Sequence, residues 1–330
     1  MSAASGPLAT VAILTWNGET YLRRILEGVQ QQVVEGDVEI LVIDSGSTDA
    51  TLDIVREFPS VRLHEIPNSE FGHGKTRNLA AQLARGEYIA YLTHDAIPLG
   101  PHWLSELLAP FALDERVVAV MGKQVPRADC FPLLKYEIEG AFRGFGPDFG
   151  TSLFYRDDFA QDEGLLSAIA FYSDVNSATR TEFLRSVIPY RDVRYAEDQL
   201  FGRDVIDAGY HKAYAPRGAV EHSNDLTLAE YGRRIFDETI ALREIGRDIP
   251  VLTRRARFRM TVRGILGDSA RIALDGAYSR KRKLYWLVVN PRYHVAKWRS
   301  YRQSTLVDLA DDEALRAGSL EQSRRDVSGS

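Results

Sequence analysis

Residues 10–15 read Thr-Val-Ala-Ile-Leu-Thr, and residues 38–43 read Val-Glu-Ile-Leu-Val-Ile. Both are nearly unbroken apolar runs rich in β-branched side chains, the pattern of strands covered on both faces. A helical stretch from about Glu19 to Gln32 lies between them. Further on, Val61–Ile66 predicts a third strand, more polar and therefore nearer an edge. Thr76–Ala84 is helical, Arg85-Gly86 stops it, and Glu87–Leu92 is a fourth strand. Pro101–Leu108 begins another helix with Pro in its first turn, and Val117–Met121 is a further short strand. Strands alternating with helices at this spacing predict an α/β fold, a mostly parallel central sheet flanked by helices.

Sheets of this kind bind ligands outside the carboxyl ends of their strands. The polar clusters fall there: Trp16-Asn17-Gly18 after the first strand, Asp44 after the second, Thr93-His94-Asp95 after the fourth. The turn from Asp44 to Asp49 leads into a helix, with Ser47 as its expected N-cap and Asp49 suited to the positive end of the helix dipole. No Walker A sequence is present, and no G-x-G-x-x-G opens a helix after the first strand. Phe71-Gly72-His73-Gly74-Lys75 is glycine-rich but follows the third strand, a weak phosphate-loop candidate on its own.

Composition narrows the class. The chain has 330 residues, 45% hydrophobic and 26% charged, which excludes disordered and fibrous chains. One cysteine, Cys130, rules out an intrachain disulfide framework and a cysteine-based zinc site. The start, MSAASGPLAT, lacks the basic and apolar regions of a secretory signal, and no apolar run approaches the roughly 20 residues of a membrane span. The expectation is a cytoplasmic protein. The net charge of −5 conceals an asymmetry: residues before Arg254 sum to −14, residues 254–302 to +12, and residues 304–330 to −3. A basic block beside an acidic body suggests a surface for a membrane or a polyanion.

The succession TVAILTWNGETYL, EILVIDSGSTDAT, GKTRNLAAQLARGEYIAYLTHDAIP and AEDQLFGRDVIDAGY resembles the family 2 glycosyltransferases, whose fold is GT-A. FGHGKTRNLA, LTHDAIP and VNSATRTEF followed by AEDQ look most like bacterial rhamnosyltransferases of surface-polysaccharide assembly. The resemblance covers about residues 8–225. It implies an inverting enzyme, a single displacement at an anomeric carbon. That chemistry needs cationic stabilisation of a departing nucleotide diphosphate and a carboxylate base for the acceptor hydroxyl.

Carried over residue by residue, the resemblance assigns Asp44 to the nucleotide base or ribose. Thr15, Asn17 and Glu19 form the other nucleotide-contacting segment, with Lys75, Arg77 and Asn78 near the diphosphate at a helix start. Thr93-His94-Asp95 stands where the family carries two aspartates around one residue. Here the first is Thr93, so Asp95 alone keeps the carboxylate as ligand of Mg²⁺ or Mn²⁺. His222 matches a late histidine that completes the metal site. His94, Asp174, Asn176 and Ser177 are assigned to the donor and acceptor pocket. Asp198 is the expected base, and Glu197 beside it orients the acceptor or a neighbouring group.

The function so implied is transfer of L-rhamnose from dTDP-L-rhamnose to a hydroxyl of a lipid-linked saccharide in polysaccharide biosynthesis. Two alternatives stand beside it: the same fold with a UDP-hexose donor, and a catalytically silent glycan- or nucleotide-binding module. The expected domains are a GT-A domain over residues 1–225, a helical basic extension over 226–303 and a flexible polar tail over 304–330. Leu228–Ile245 is a long helix with Thr227 as cap. From Arg254 onward basic residues interleave with aromatic ones, as in an amphipathic helix lying on a membrane. A dimer surface and a clamp on an anionic glycan remain open for this segment, whereas no nucleic-acid-binding motif accompanies the charge. Peripheral attachment to the cytoplasmic face of an inner membrane is the expected location.

Overall fold

The computed structural model describes residues 6–157, 162–320 and 322–323. The two apolar runs are the adjacent parallel strands β1 (Ala9–Thr15) and β2 (Val38–Asp44). They are followed by β3 (Val61–Glu65), β4 (Tyr88–Thr93), β5 (Ile97–Pro98), β6 (Val117–Val125), β7 (Ser152–Phe154), β8 (Asn176–Arg180) and β9 (His211–Glu221). The sheet order is β3-β2-β1-β4-β8-β6-β9-β5, with β7 paired to β9. β3 lies at an edge, as its polar sequence predicts. Parallel pairing holds through β3-β2-β1-β4. Beyond that half the sheet is mixed, because β8 enters antiparallel between β4 and β6.

The helices are α1 (Leu22–Gln30), α2 (Thr51–Arg56), α3 (His73–Leu83), α4 (Trp103–Leu108), α5 (Pro132–Gly144) and α6 (Glu163–Ala170). There follow α7 (Thr181–Ser186), α8 (Glu197–Asp207), α9 (Leu228–Glu244), α10 (Arg254–Leu274), α11 (Arg280–Ser304) and α12 (Asp312–Gly318). Leu22, Ile25, Leu26 and Val29 of α1 lie at helical spacing and are buried in one core with Val11, Ile13, Ile40 and Val42. Burying each such side chain stabilises the fold by about 1.5–3 kcal/mol before the entropy of ordering it. α1 starts later than the sequence pattern suggests. Asn17 takes a left-handed φ of 49°, which turns the chain before the helix can begin.

One compact unit takes the chain to Arg127 together with Glu139–Ser223; a second takes Ala128–Ile138 and the chain from Asn224. The second unit is helical. Thr227 and Glu230 form a capping box at the start of α9, as expected for Thr227. The basic segment is two capped helices, α10 after Thr253 and α11 after Ser279. The stretch read from sequence as a flexible tail contains α12. Its Leu315 is buried with Phe236 and Ile240, and the Leu320 N–H donates to Asp237 Oδ2 at 2.8 Å. Two leucines anchor a segment whose average composition is polar.

Candidate active site

β6 is parallel to β9 and antiparallel to β8, which is antiparallel to β4. The carboxyl ends of β1, β2, β4, β6 and β9 therefore share one edge, and the expected site residues gather there in three groups.

The first group joins the loops after β1 and β2. Asp44 is fully buried. Its Oδ1 accepts the N–H groups of Gly46 and Ser47 at 3.0 and 2.9 Å, and its Oδ2 accepts the Ser47 hydroxyl at 2.5 Å. Ser47 thus serves this turn and does not cap α2. The start of α2 is held instead by Asp49, which accepts the Thr51 N–H at 2.9 Å, and by Glu19, which accepts the Ala50 N–H at 3.0 Å. Asn17 Oδ1 accepts the Thr48 N–H at 2.8 Å. Asn17 and Glu19 therefore lock one loop to the other. Thr15 Oγ1 is buried without a hydrogen-bond partner among the described residues. A Cβ on Gly18 would lie 2.7 Å from that oxygen and 3.1 Å from the His94 Cβ, so glycine is what lets this loop approach the half-buried His94.

The second group is the pair singled out for a metal. His222 Nε2 lies 3.3 Å from Asp95 Oδ2. Thr93, which replaces the first family carboxylate, donates its hydroxyl to Asp95 Oδ1 at 2.7 Å. His222 Nδ1 lies 2.9 Å from Gln124 Oε1. Gln124 Oε1 can only accept, so Nδ1 carries a proton and the ring is oriented with Nε2 facing Asp95, from where it could turn its lone pair to a metal ion in place of that contact. Burial pushes the Asp95 pKa up, but the charge and hydrogen bond of His222, with His94 and Thr93, outweigh it and hold the carboxyl below its ordinary range. Arg127 was not found by sequence reasoning. Its guanidinium donates to the carbonyls of Asp95 and Ser223 and stacks 3.9 Å from the Tyr21 ring centroid. It ties the residue beside His222 to Asp95.

Among the described residues no three His, Cys, Asp or Glu side chains are placed together to hold a metal ion. One carboxylate and one imidazole on an oriented ring suit Mg²⁺ or Mn²⁺ when substrate phosphates and water complete the coordination.

The third group centres on Arg77. Its buried guanidinium pairs with Glu197 and, 3.2 Å away, with Asp174. Burial lowers its pKa, yet Asp174, Glu197, Tyr190 and Asp198 together raise it well above the ordinary value. The structure thus places Arg77 between two carboxylates, Glu197 and Asp174, with Asp198 nearby. Asn78 is likewise engaged, donating to the Tyr190 carbonyl at 2.8 Å and accepting the Tyr190 N–H at 3.0 Å. Lys75 alone of the three expected phosphate contacts has an exposed side chain. A Cβ on Gly74 would lie 2.2 Å from the Arg191 carbonyl oxygen. The glycine-rich stretch is therefore explained by close packing of α3 against the chain before α8.

Asp174 Oδ1 accepts hydroxyls from Ser177 at 2.6 Å and Tyr190 at 2.8 Å, and Asp174 and Ser177 are both buried. Asn176 is buried too. Its amide is engaged by Trp103 Nε1 at 2.9 Å and by the carbonyls of Gly218 and Lys123 at 2.7 and 3.3 Å. In this structure its amide is spent joining β8 to the neighbouring segments.

Asp198 is half-buried in the first turn of α8. Its Oδ1 accepts the Gln199 N–H at 2.8 Å. Burial and the negative charges of Glu197 and Asp174 oppose its ionisation. They outweigh Arg77 and the Gln199 N–H, so its pKa stands well above the carboxylate range. The residue before the pair, Ala196, holds a left-handed φ of 64°. Such strain in a non-glycine residue costs about 1–2 kcal/mol and clusters at functional sites.

The family model for glycosyl transferase family 2 matches residues 10–187. The O-antigen chain rhamnosyltransferase RfbN of Salmonella typhimurium is 30% identical over 230 residues, which is 69% of this chain and 70% of that protein. The O-antigen chain rhamnosyltransferase WbaN of Salmonella anatum is 30% identical over 234 residues, 70% of this chain and 71% of that one. Among solved structures, the mannosyltransferase PcManGT from Pyrobaculum calidifontis, in complex with GDP-Man and Mn²⁺, superposes with a TM-score of 0.57. That match has 18% identity and covers 93% of this chain and 88% of that one. The chain belongs to glycosyl transferase family 2. It is a glycosyltransferase of GT-A fold with rhamnosyltransferases among its relatives.

Proposed function

We propose that the protein transfers L-rhamnose from dTDP-L-rhamnose to a hydroxyl of a lipid-linked saccharide at the cytoplasmic face of an inner membrane, with inversion at the anomeric carbon. The observation that carries the chemistry is Asp198, a half-buried carboxyl with a raised pKa at the sheet's ligand edge, next to a negatively charged Glu197 held by Arg77. The sugar and acceptor rest on the likeness to RfbN and WbaN, each an O-antigen chain rhamnosyltransferase.

In this reading the acceptor oxygen attacks the anomeric carbon as the bond from that carbon to the nucleotide diphosphate breaks. The hydroxyl proton passes to Asp198 Oδ2, the oxygen not engaged by the Gln199 N–H. Glu197, held by Arg77, keeps the start of α8 in place and adds the negative charge that makes Asp198 more basic. A divalent cation held by Asp95 and His222 would neutralise the charge gathering on the departing diphosphate. Gln124 keeps the His222 ring in the ligating tautomer, and Arg127 holds the Asp95 backbone. Thr15 Oγ1, buried beside Gly18 and without a hydrogen-bond partner among the described residues, is the hydroxyl this reading assigns to the nucleotide. Lys75 is the cation of α3 left open to the phosphates.

Thermal shifts with dTDP, UDP and GDP in the presence of Mn²⁺, followed by transfer assays with the matching sugar nucleotides, test the donor. Stabilisation by dTDP above the other two, with rhamnose transferred, supports this reading. Preference for UDP with hexose transfer replaces it by the second donor class, and nucleotide binding with no transfer replaces it by a silent binding module.

A further inference from the structure

The helices α10 and α11 pack as an antiparallel hairpin through a buried polar seam. Asp268 accepts from His294 Nε2 at 2.8 Å and from Asn290 Nδ2 at 3.3 Å. Gly264 lies so close to His294 that an added Cβ would fall 2.4 Å from its ring. Ile272 and Trp286 are buried in the same unit. That face satisfies the needs of a soluble helix.

The opposite side of α10 is apolar as well. Phe258, Val262, Leu266, Ala270 and Leu274 recur every four residues and are all exposed, Phe258 at 71%, Leu266 at 66% and Leu274 at 85%. Beside this row run Arg255, Arg259, Arg263 and Arg271, each three residues before an apolar member and each exposed. On α11, Leu284, Val288 and Val295 are exposed, with Lys281, Arg292 and Arg299 at helical spacing from them. Apolar residues on both faces, with arginines flanking the outer one, are not explained by packing within the hairpin.

Charge decides what covers this outer face. Residues 254–302 carry 14 basic and 2 acidic side chains. Both acidic ones are engaged inward: Asp268 in the seam, and Asp275 with Lys135 at 2.6 Å and Tyr136 at 3.1 Å. The outer face thus offers a second copy of itself only like charge. A bilayer with anionic headgroups offers both an apolar interior and counter-charge.

We propose that the outer face of α10 and α11 docks on bilayers bearing anionic phospholipids, with Phe258, Leu266, Leu274 and Leu284 entering the acyl boundary and Arg255, Arg259 and Arg263 lying at the phosphates. The proposal deepens the reading of a membrane-held acceptor and rests on it for its purpose alone. The mode is attachment, since no helix among the described residues is long and apolar enough to cross a membrane.

The test is flotation of the full chain with vesicles of phosphatidylglycerol and phosphatidylcholine, and with phosphatidylcholine alone, without donor or acceptor. The chain should partition at least about tenfold more strongly to the anionic vesicles. The combined change Phe258→Ser, Leu266→Ser and Leu274→Ser should weaken that binding by at least about tenfold at wild-type circular dichroism, because the altered residues are exposed. Arg255→Gln, Arg259→Gln and Arg263→Gln together should bring binding to anionic vesicles down to the level seen with phosphatidylcholine. Absence of flotation with anionic vesicles, or serine variants that float like the wild type, overturns the proposal. So does an oligomer that the serine changes dissociate while flotation persists. Vesicle binding and sugar transfer are read separately: failed flotation leaves transfer to a soluble acceptor standing, and failed transfer leaves the docking surface standing.

Discussion

Asp198 concentrates the consequences that can be measured at single residues. A base must be ionised to accept a proton, and this carboxyl ionises above the usual range. The log of kcat/KM should therefore climb with pH along an acidic limb displaced upward from the ordinary carboxylate pKa. Glu197→Gln removes a negative charge beside Asp198, so the limb should move to lower pH; an unmoved limb, or one moving up, assigns it to another group. The same shift has a stability consequence. A carboxyl whose pKa is raised in the folded state binds its proton more tightly there than in the unfolded chain. Its contribution to stability is lost as pH rises through the folded pKa. Asp198→Asn should consequently raise Tm at neutral pH while losing transfer, the exchange of stability for function expected at an active site. A lowered Tm would show that the Asp198 environment had been misread.

At the scale of elements, α3 and α8 hold the carboxylate cluster between them, and Gly74 is the point of closest approach to the chain before α8. Gly74→Ala should push the two apart and destabilise the protein by about 1–3 kcal/mol, read by urea denaturation. Transfer should fall with it, because Arg77 sits one turn further along α3. Stability and turnover like those of the wild type would mean that this contact yields freely. β1, β2, β4 and β6 were legible from their apolar runs, β3 as a more polar edge strand and α9 from the capping residue Thr227, whereas the two- and three-residue strands β5 and β7 are too short to carry a pattern. β8 was not legible as a strand. Its sequence Asn-Ser-Ala-Thr-Arg is mostly polar; Asn176 is buried because Trp103 and Gly218 supply partners from distant segments, and Ser177 because Asp174 does so from the turn just before the strand. The Arg77–Glu197 pair is not legible locally either: Glu197 is 120 residues away, and nothing in α3 announces it. Gln124 and Arg127 sit at and just beyond the end of β6 and carry no motif. Asp95, His222 and the Glu197-Asp198 pair were found through family resemblance, and the structure then brought Asp95 to His222 and Glu197 to Arg77.

For the whole molecule, the uneven charge of the sequence has a structural counterpart. The acidic residues of the first unit include the carboxylates of the site, and the basic ones of the second flank an exposed apolar face. The activity proposed for the chain is that of an inverting rhamnosyltransferase whose base is Asp198. The most direct measurement is transfer from dTDP-L-rhamnose to a lipid-linked saccharide by the wild type and by Asp198→Asn. It requires the anomeric configuration of the product by NMR and the affinity for dTDP by calorimetry in parallel. The expected result is a rhamnosyl product of inverted configuration, unchanged dTDP affinity in the variant, and transfer reduced by about 10²–10⁴-fold. A product of retained configuration, or an Asp198→Asn protein that turns over like the wild type, would contradict it.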